Sequence, residues 1–252
     1  AYGLRVHRID SQDVLAAFAA EVTKEERTNQ LNSQQLIGIV YALGFLGWKN
    51  AATYQALLKR ISQRSMLDQV SDRGLCNVIT AIQFSGIPWD SSVLTILAEA
   101  TQSKRLLQFT ERSLTSLIRS FGRMRMRQRS FTVPVFEEIT KLGRLARLSN
   151  VDLTDLVYNL AQMRLKSAQG IANIKAELLK PDRLLKLTVT EFCNLVYGLG
   201  SNRVKEEELI DSLENYMAVC LDVTSMRNSE ITQLIHGLGG LRSKRSLCRK
   251  RV

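Results

Sequence analysis

Apolar residues recur along the chain with the spacing of one face of an α-helix. From Phe192, apolar residues follow at the third, fourth and seventh positions: Leu195, Val196 and Leu199. This spacing predicts an amphipathic helix. The same pattern occurs six times, and its first residue, here called the anchor, returns every 39 residues without a gap. The anchors are Leu36, Leu75, Leu114, Leu153, Phe192 and Ile231. A fixed period of this length indicates a repeat protein built from stacked helices.

Each predicted helix has marked ends. A residue that caps helix N-termini stands four positions before five of the six anchors. These residues are Asn32, Ser71, Thr110, Ser149 and Thr188, and Arg227 takes the sixth place. Such side chains accept hydrogen bonds from the free N–H groups of the first turn. Eight positions after the anchor the residues are mostly small. We therefore expect Gly200 to end its helix and to let a neighbouring helix come close.

A second helix is predicted in each unit, with Pro88 and Pro134 in or near the connections that lead to it. The predicted fold is therefore all-α: an α-solenoid of helix-turn-helix repeats with a 39-residue period. We expect one domain, 1–252, made of a half-repeat 1–31, repeats 32–70, 71–109, 110–148, 149–187 and 188–226, and a half-repeat with a basic tail, 227–252. Both ends fall within a unit, which predicts further residues on one side or packing of the open ends in a larger assembly.

Composition narrows the class of protein. With 45% hydrophobic residues the chain has material for a core. Its longest mostly apolar run, 36–48, is shorter than the roughly 20 residues that span a bilayer, so no membrane span is expected. The four cysteines and two histidines lack the spacing of a zinc site. Phosphate-loop, nucleophile-elbow and metalloprotease motifs are missing as well. We expect no metal, no cofactor, no catalytic residue and no enzymatic activity.

Positive charge is concentrated in two segments. The formal net charge is +11. Residues 104–147 hold eleven lysines and arginines against three acids, and the tail 242–251 holds six basic residues and no acid. A focused basic surface is typical of proteins that bind phosphate or an acidic partner.

Polar and aromatic residues stand at two fixed positions of the first helix of each unit. Asn77 and Asn194 lie two residues after their anchors. Five residues after the anchor stand Tyr41, Arg119, Tyr158, Tyr197 and His236. In a solenoid such residues form a row on one surface, where amides and rings can read single-stranded RNA by edge hydrogen bonds and stacking. Alternatively, the tyrosines fill the groove to the next helix and leave their hydroxyls at its rim.

The third repeat contains a run of alternating arginines between its two helices: Arg123, Arg125, Arg127 and Arg129. Their planar guanidinium groups suit phosphate oxygens. A solvated loop or a site for an acidic protein would use the same residues. The tail residues Arg242, Lys244 and Arg245 are either a basic arm on RNA or part of a disordered tail.

The repeat units resemble those of a known class. The stretches SQQLIGIVYALGFLG, ERSLTSLIRSFGRM, DLTDLVYNLAQM and EFCNLVYGLGSN are similar to the heptatricopeptide and octotricopeptide repeats of organellar RNA-binding proteins, which also precede the RAP domain in FAST-kinase-like proteins. We expect no RAP domain after Leu241. The resemblance implies RNA binding in a mitochondrion or, alternatively, a plastid.

Two functional hypotheses follow. The first is a structural component of a ribonucleoprotein such as a mitochondrial ribosome, or an RNA processing or stability factor, with RNA and neighbouring proteins as partners. The second is a protein-binding helical scaffold in a larger organellar complex.

Overall fold

The structure, a computed structural model, describes residues 12–180 and 183–241. These ranges contain sixteen α-helices and no strand. The α-helices are α1 (Gln12–Val22), α2 (Glu25–Gln30), α3 (Ser33–Phe45), α4 (Ala51–Ile61), α5 (Arg64–Leu67), α6 (Asp72–Ser85), α7 (Ser91–Ala100), α8 (Ser103–Gln108), α9 (Glu111–Arg123), α10 (Arg129–Ile139), α11 (Leu142–Leu145), α12 (Asn150–Met163), α13 (Ala168–Leu178), α14 (Val189–Ser201), α15 (Glu207–Cys220) and α16 (Asn228–Leu241). Two short 3₁₀ helices lie at Leu184–Lys186 and Val223–Ser225. The all-α prediction is confirmed, and the 39-residue period stays a prediction.

The predicted caps stand at the starts of the helices that contain the anchors. The Asn32 side chain accepts from the Gln35 backbone N–H at 2.9 Å, and the Gln35 side chain accepts in return from the Asn32 N–H at 3.0 Å. Thr188 and Glu191 form the same reciprocal pair at the start of α14. These local contacts satisfy N–H groups that the first turn leaves open. The predicted starts at these two residues are confirmed.

The predicted helix end at Gly200 is wrong. Helix α14 continues to Ser201, and Gly198 and Gly200 lie inside it. In the five units with anchors from Leu36 to Phe192, the left-handed residue stands three positions after the expected helix end. These residues are Gly47, Gly86, Arg125, Arg164 and Arg203. Gly200 instead makes room for a neighbour, because a Cβ atom there would collide with the Gly237 carbonyl group of α16.

Pro134 also departs from its predicted place in or near a connection. It lies inside α10. Proline there removes one N–H, whose partner would be the carbonyl four residues earlier, on the exposed Ser130 in the first turn. Water can reach that carbonyl, so the helix tolerates the proline.

The chain divides into two compact units, Ala1–Ser120 and Phe121–Val252. In the first unit α3 packs on α6, and α4 packs on α7. The anchors Leu36 and Leu75 are fully buried there. In the second unit α12 packs on α14, which in turn packs on α16. The anchors Leu153 and Phe192 are fully buried in this unit. In both units the predicted apolar face therefore forms the core, except on α16, where Ile231 is half-buried and Ile235 is 66% exposed.

Buried carboxylates form a feature that the apolar pattern does not contain. In the first unit, Glu99 is 4% exposed and accepts from Arg105 Nε at 2.9 Å. The same guanidinium donates to the carbonyl groups of Val70 and Leu67, both at 2.9 Å. Arg105 therefore ties α7 to the connection before α6.

The second unit contains two similar contacts. Arg144 Nε donates to the buried Glu138 at 2.7 Å. Arg183 pairs with the buried Glu177 and donates to the Leu148 carbonyl at 2.6 Å. The three glutamates stand 39 residues apart in the sequence. Part of the positive charge in 104–147 is therefore used to neutralise buried carboxylates.

We expect low pH to weaken the packing of α14 against α16, because the carboxylate of Glu230 becomes protonated. Hydrogen bonds from Arg227 and Thr190 lower the pKa of Glu230 from 4.5 to about 2. A carboxylate with a lowered pKa stabilises the folded state fully above its ordinary pKa, and that contribution is lost as the pH falls from 4.5 towards 2. Thermal unfolding followed against pH measures this, with Glu230→Gln as the comparison. The wild-type advantage should shrink across this window, and parallel curves for the two proteins would contradict the interpretation.

Candidate nucleic-acid interface

Three helices of the second unit, α12, α14 and α16, place the candidate residues. Near their starts, Thr190 of α14 donates to Glu230 of α16 at 2.5 Å. Near their ends, Gly200 of α14 lies against Gly237 and Gly240 of α16. The starts of α14 and α16 therefore lie together, and so do their ends, which means that the two helices run parallel. Helices α12 and α14 lie in the same register, because Tyr158 faces Tyr197 at equal positions after their anchors.

An aromatic row crosses these three helices. The ring centroids of Tyr158 and Tyr197 are 5.2 Å apart, and those of Tyr197 and His236 are 5.1 Å apart. Both pairs are tilted, at 34° and 36°. Tyr158 and Tyr197 are half-buried and His236 is exposed. The Gln162 side chain donates to the Tyr197 hydroxyl at 3.4 Å. Three of the predicted residues thus lie together on one surface, called the aromatic row below.

The spacing of the aromatic row limits how it can contact a base. Stacked bases are separated by about 3.4 Å, so a base inserted between two rings needs them about 7 Å apart. The centroids of the row are only 5.1–5.2 Å apart, and the rings already contact one another. A base therefore cannot enter between them without a rearrangement. The exposed ring of His236 and the hydroxyl edges of Tyr158 and Tyr197 remain accessible to a ligand.

Electrostatics connects the aromatic row to the arginine run. Burial is the largest cause that raises the pKa of Tyr158, and the neighbouring Tyr197 adds to it. The positive charge of Arg125 acts in the opposite direction and lowers this pKa. The Tyr158 hydroxyl stays protonated at neutral pH, so it can both donate and accept a hydrogen bond.

The arginine run turns sharply between α9 and α10. Arg123 is the last residue of α9 and Arg129 the first of α10, so the connecting loop is 124–128. Met126 in its middle is 1% exposed, and its N–H donates to the Phe121 carbonyl at 2.9 Å. The arginines around it, namely Arg123, Arg125, Arg127 and Arg129, are exposed. None of these four guanidinium groups pairs with a carboxylate in the part of the chain that the structure describes.

The remaining predicted residues lie elsewhere. In the first unit, Tyr41 on α3 and Asn77 on α6 are half-buried and line the same groove, of about 950 Å³. Arg119 on α9 is half-buried too. In the second unit Asn194 is half-buried on α14. Arg242, Lys244 and Arg245 lie outside the described residues.

Four basic residues of the second unit escaped the sequence analysis. Arg164 and Arg203 have the same left-handed backbone as Arg125. Lys166 and Lys205 stand two residues further on, as Arg127 does after Arg125. The available signal was a comparison of the units at positions 11 and 13 after the anchor, outside the amphipathic helix pattern.

Other kinds of site find little support in the described residues. Over 12–180 and 183–241, no group of three or more His, Cys, Asp and Glu side chains is arranged to hold a metal ion. Burial raises the pKa of the Cys76 thiol to about 12 and that of Cys193 to about 11, which disfavours a thiolate at either position. In this part of the chain, none of the helices combines the length and apolar character that crossing a membrane requires.

Comparison with known proteins identifies a family. No curated protein matches the chain. A family model described as RNA-editing substrate-binding complex 6 protein matches residues 95–244, which is more than half of the chain and includes the arginine run and the aromatic row. The matched family model is not that of the RAP or FAST-kinase-like proteins. The chain belongs to the RNA-editing substrate-binding complex 6 protein family.

Proposed function

We propose that the chain is a non-enzymatic RNA-binding component of an RNA-editing substrate-binding complex. The observation that carries the proposal is the exposed arginine run, which has no carboxylate partner among the described residues and lies within the segment that the family model matches. Exposed guanidinium groups without carboxylate partners favour phosphate, and the tyrosine edge supplies hydrogen bonds to bases or ribose.

The family indicates the assembly and the location. Its name describes a protein of an RNA-editing substrate-binding complex. We therefore propose RNA and the other proteins of such a complex as partners, in place of the mitochondrial ribosome. For location we propose the mitochondrion, where proteins of this family act, rather than the plastid.

We also propose that the helices form an α-solenoid with the 39-residue repeats 32–70, 71–109, 110–148, 149–187 and 188–226. Three structural features support this period. The left-handed residues from Gly47 to Arg203 stand 39 positions apart, and so do the buried glutamates Glu99, Glu138 and Glu177. The row of Tyr158, Tyr197 and His236 follows the same spacing.

A protein-binding scaffold is the second candidate. Exposed apolar side chains favour it, namely Val219, Val223 and Ile235, which are 56–82% exposed. An exposed apolar surface of this kind suits a protein contact better than a phosphate contact. The two candidates predict different results when the arginine charges are removed. RNA affinity should fall if the chain is an RNA-binding component, and no such loss is expected of a protein-binding scaffold.

Changing Arg123, Arg125, Arg127 and Arg129 together to alanine is expected to weaken RNA binding and its salt dependence. Each phosphate contact to a single strand contributes about 0.7 to the slope of log affinity against log salt, so the slope should fall by up to about 2.8. Titration of a fluorescent single-stranded RNA at several salt concentrations measures this.

The matched control removes four exposed bases of the first unit, Lys49, Lys59, Lys104 and Arg112, which lie outside the arginine run. It should keep most of the slope. RNA binding that is equally strong in the arginine variant and the wild type would contradict the role of the arginine run. A wild-type chain without RNA affinity would favour the protein-binding scaffold.

A further inference from the structure

We propose that three loops of the second unit form a row of phosphate sites, with one site at the end of each of α9, α12 and α14. These loops, called the basic loops below, are 125–127, 164–166 and 203–205. Their ligand is the sugar-phosphate backbone of single-stranded RNA. The inference rests on the proposed function and adds four residues to it: Arg164, Lys166, Arg203 and Lys205.

The three basic loops share one backbone geometry. Their first residues have φ angles of 50°, 53° and 54° at Arg125, Arg164 and Arg203. The N–H of each donates to a carbonyl three residues earlier, at 2.9, 3.1 and 2.9 Å. The next residue donates to a carbonyl five residues earlier in each loop, at 2.9, 3.1 and 3.1 Å. Two such bonds close the end of a helix and fix the loop.

Each basic loop has one buried residue between two exposed bases. The buried residues are Met126, Leu165 and Val204, which are 1%, 4% and 7% exposed. The flanking bases are exposed in all three loops. They are Arg125 and Arg127, Arg164 and Lys166, and Arg203 and Lys205. The buried side chain holds the loop in place, so the bases project from a fixed support.

Backbone conformation does not explain arginine at these positions. A left-handed residue favours glycine, because a Cβ atom there crowds the following carbonyl group. The first unit follows this preference with Gly47 and Gly86. In the second unit three arginines stand in its place, at a steric cost. An interaction of the side chain with a partner outside the chain offsets that cost.

The charges of the basic loops have no partner within the described chain. None of the six side chains forms an ion pair or side-chain hydrogen bond there. Two of the three acidic residues that follow Lys205 are already engaged, since Lys175 pairs with Glu208 at 2.9 Å and with Glu206 at 3.5 Å. Bases elsewhere, such as Arg144 and Arg183, neutralise buried carboxylates instead. The basic loops therefore keep their charge for a ligand.

Helix packing places the basic loops in a row. Gly122 near the end of α9 lies against Asn159 of α12, and Gly198 near the end of α14 lies against Val157 of α12. Packed helices are about 8–10 Å apart, so the loops at their ends follow one another at about this step. An arginine at each step can form a two-point contact with a phosphate. Tyr158 and Tyr197 of the aromatic row lie on α12 and α14, the helices that lead into two of the basic loops.

The test replaces Arg164 and Arg203 with glycine in the full chain. Glycine adopts the left-handed conformation without steric cost, so the melting temperature should stay the same or rise, which excludes unfolding as the cause of lost binding. With a mixed-sequence single-stranded RNA of about 16 nucleotides as the probe, affinity at about 0.1 M salt should fall roughly 5-fold per loop. The slope of log affinity against log salt should fall by about 1.4.

The control variant Lys59→Ala with Lys104→Ala removes the same charge from the first unit and should change the slope little. Unchanged RNA affinity in the glycine variant would overturn the proposal that the basic loops bind phosphate and would leave the proposed function intact. An equal loss in variant and control would also overturn them, because binding would then depend on net charge alone. Absence of RNA binding by the wild-type chain would overturn the proposed function itself.

Discussion

Replacing Gly200 with alanine is expected to destabilise the protein by about 2–3 kcal/mol, because overpacking of this kind typically costs that much. A Cβ atom at Gly200 would overlap the backbone carbonyl group of Gly237, and backbone cannot rotate away as a side chain can. Helices α14 and α16 must then separate. Urea unfolding measures the loss, and hydrogen exchange should show faster exchange in α14 and α16 than elsewhere.

The chain offers a matched control for Gly200→Ala. Gly239 stands 39 residues later at the equivalent position of α16, and a Cβ atom there meets nothing within 4 Å. Gly239→Ala should stabilise the protein by up to about 1 kcal/mol, since alanine favours a helix more than glycine does. Equal effects of the two substitutions would show that helix propensity, rather than close approach, determines the result.

Replacing Arg105 with methionine is expected to have the second large effect. It should lower the free energy of unfolding by about 3 kcal/mol. The substitution leaves the buried carboxylate of Glu99 with Gln102 and the largely exposed Arg64 as its remaining partners. It also removes the donors of the Val70 and Leu67 carbonyl groups. The free energy of unfolding by urea measures the loss.

A second variant separates the buried charge from the lost packing. Glu99→Leu combined with Arg105→Met removes both charges, so it should recover at least half of the lost stability. Lys24→Ala breaks an exposed pair with Glu21, whose side chains are 64% and 45% exposed, and should change the stability little. If Arg105→Met were as mild as Lys24→Ala, the buried pair would contribute no more than a surface pair.

Local chemistry explains what the sequence predicts well. Helix starts depend on a capping side chain and the first turn only, so Asn32 and Thr188 suffice to place them. The apolar positions after each anchor depend on helix geometry alone and predict the buried face. The fixed spacing of Tyr158, Tyr197 and His236 predicts that they lie in one row, because equal positions in packed parallel helices face the same way.

Tertiary contacts explain what the sequence pattern misses. The sequence predicts close approach of a neighbouring helix at Gly200 but also a helix end there, and only the folded chain shows that the helix continues past it against Gly237. Glu138 looks like a surface charge until Arg144 is placed beside it. Arg164 and Arg203 carry no apolar or capping signal, and their φ angles are a property of the folded chain. Gly200 and Gly237 are 37 residues apart, whereas the pairing of Glu138 with Arg144 and the bonds of the basic loops join nearby residues that the apolar and capping patterns do not describe.

The most direct test of RNA binding by this chain is to map RNA crosslinks on the native complex by mass spectrometry. We expect crosslinked peptides from the second unit that contain the basic loops or His236, the exposed end of the aromatic row. Crosslinks found only on other proteins of the complex, with none on this chain, would contradict it.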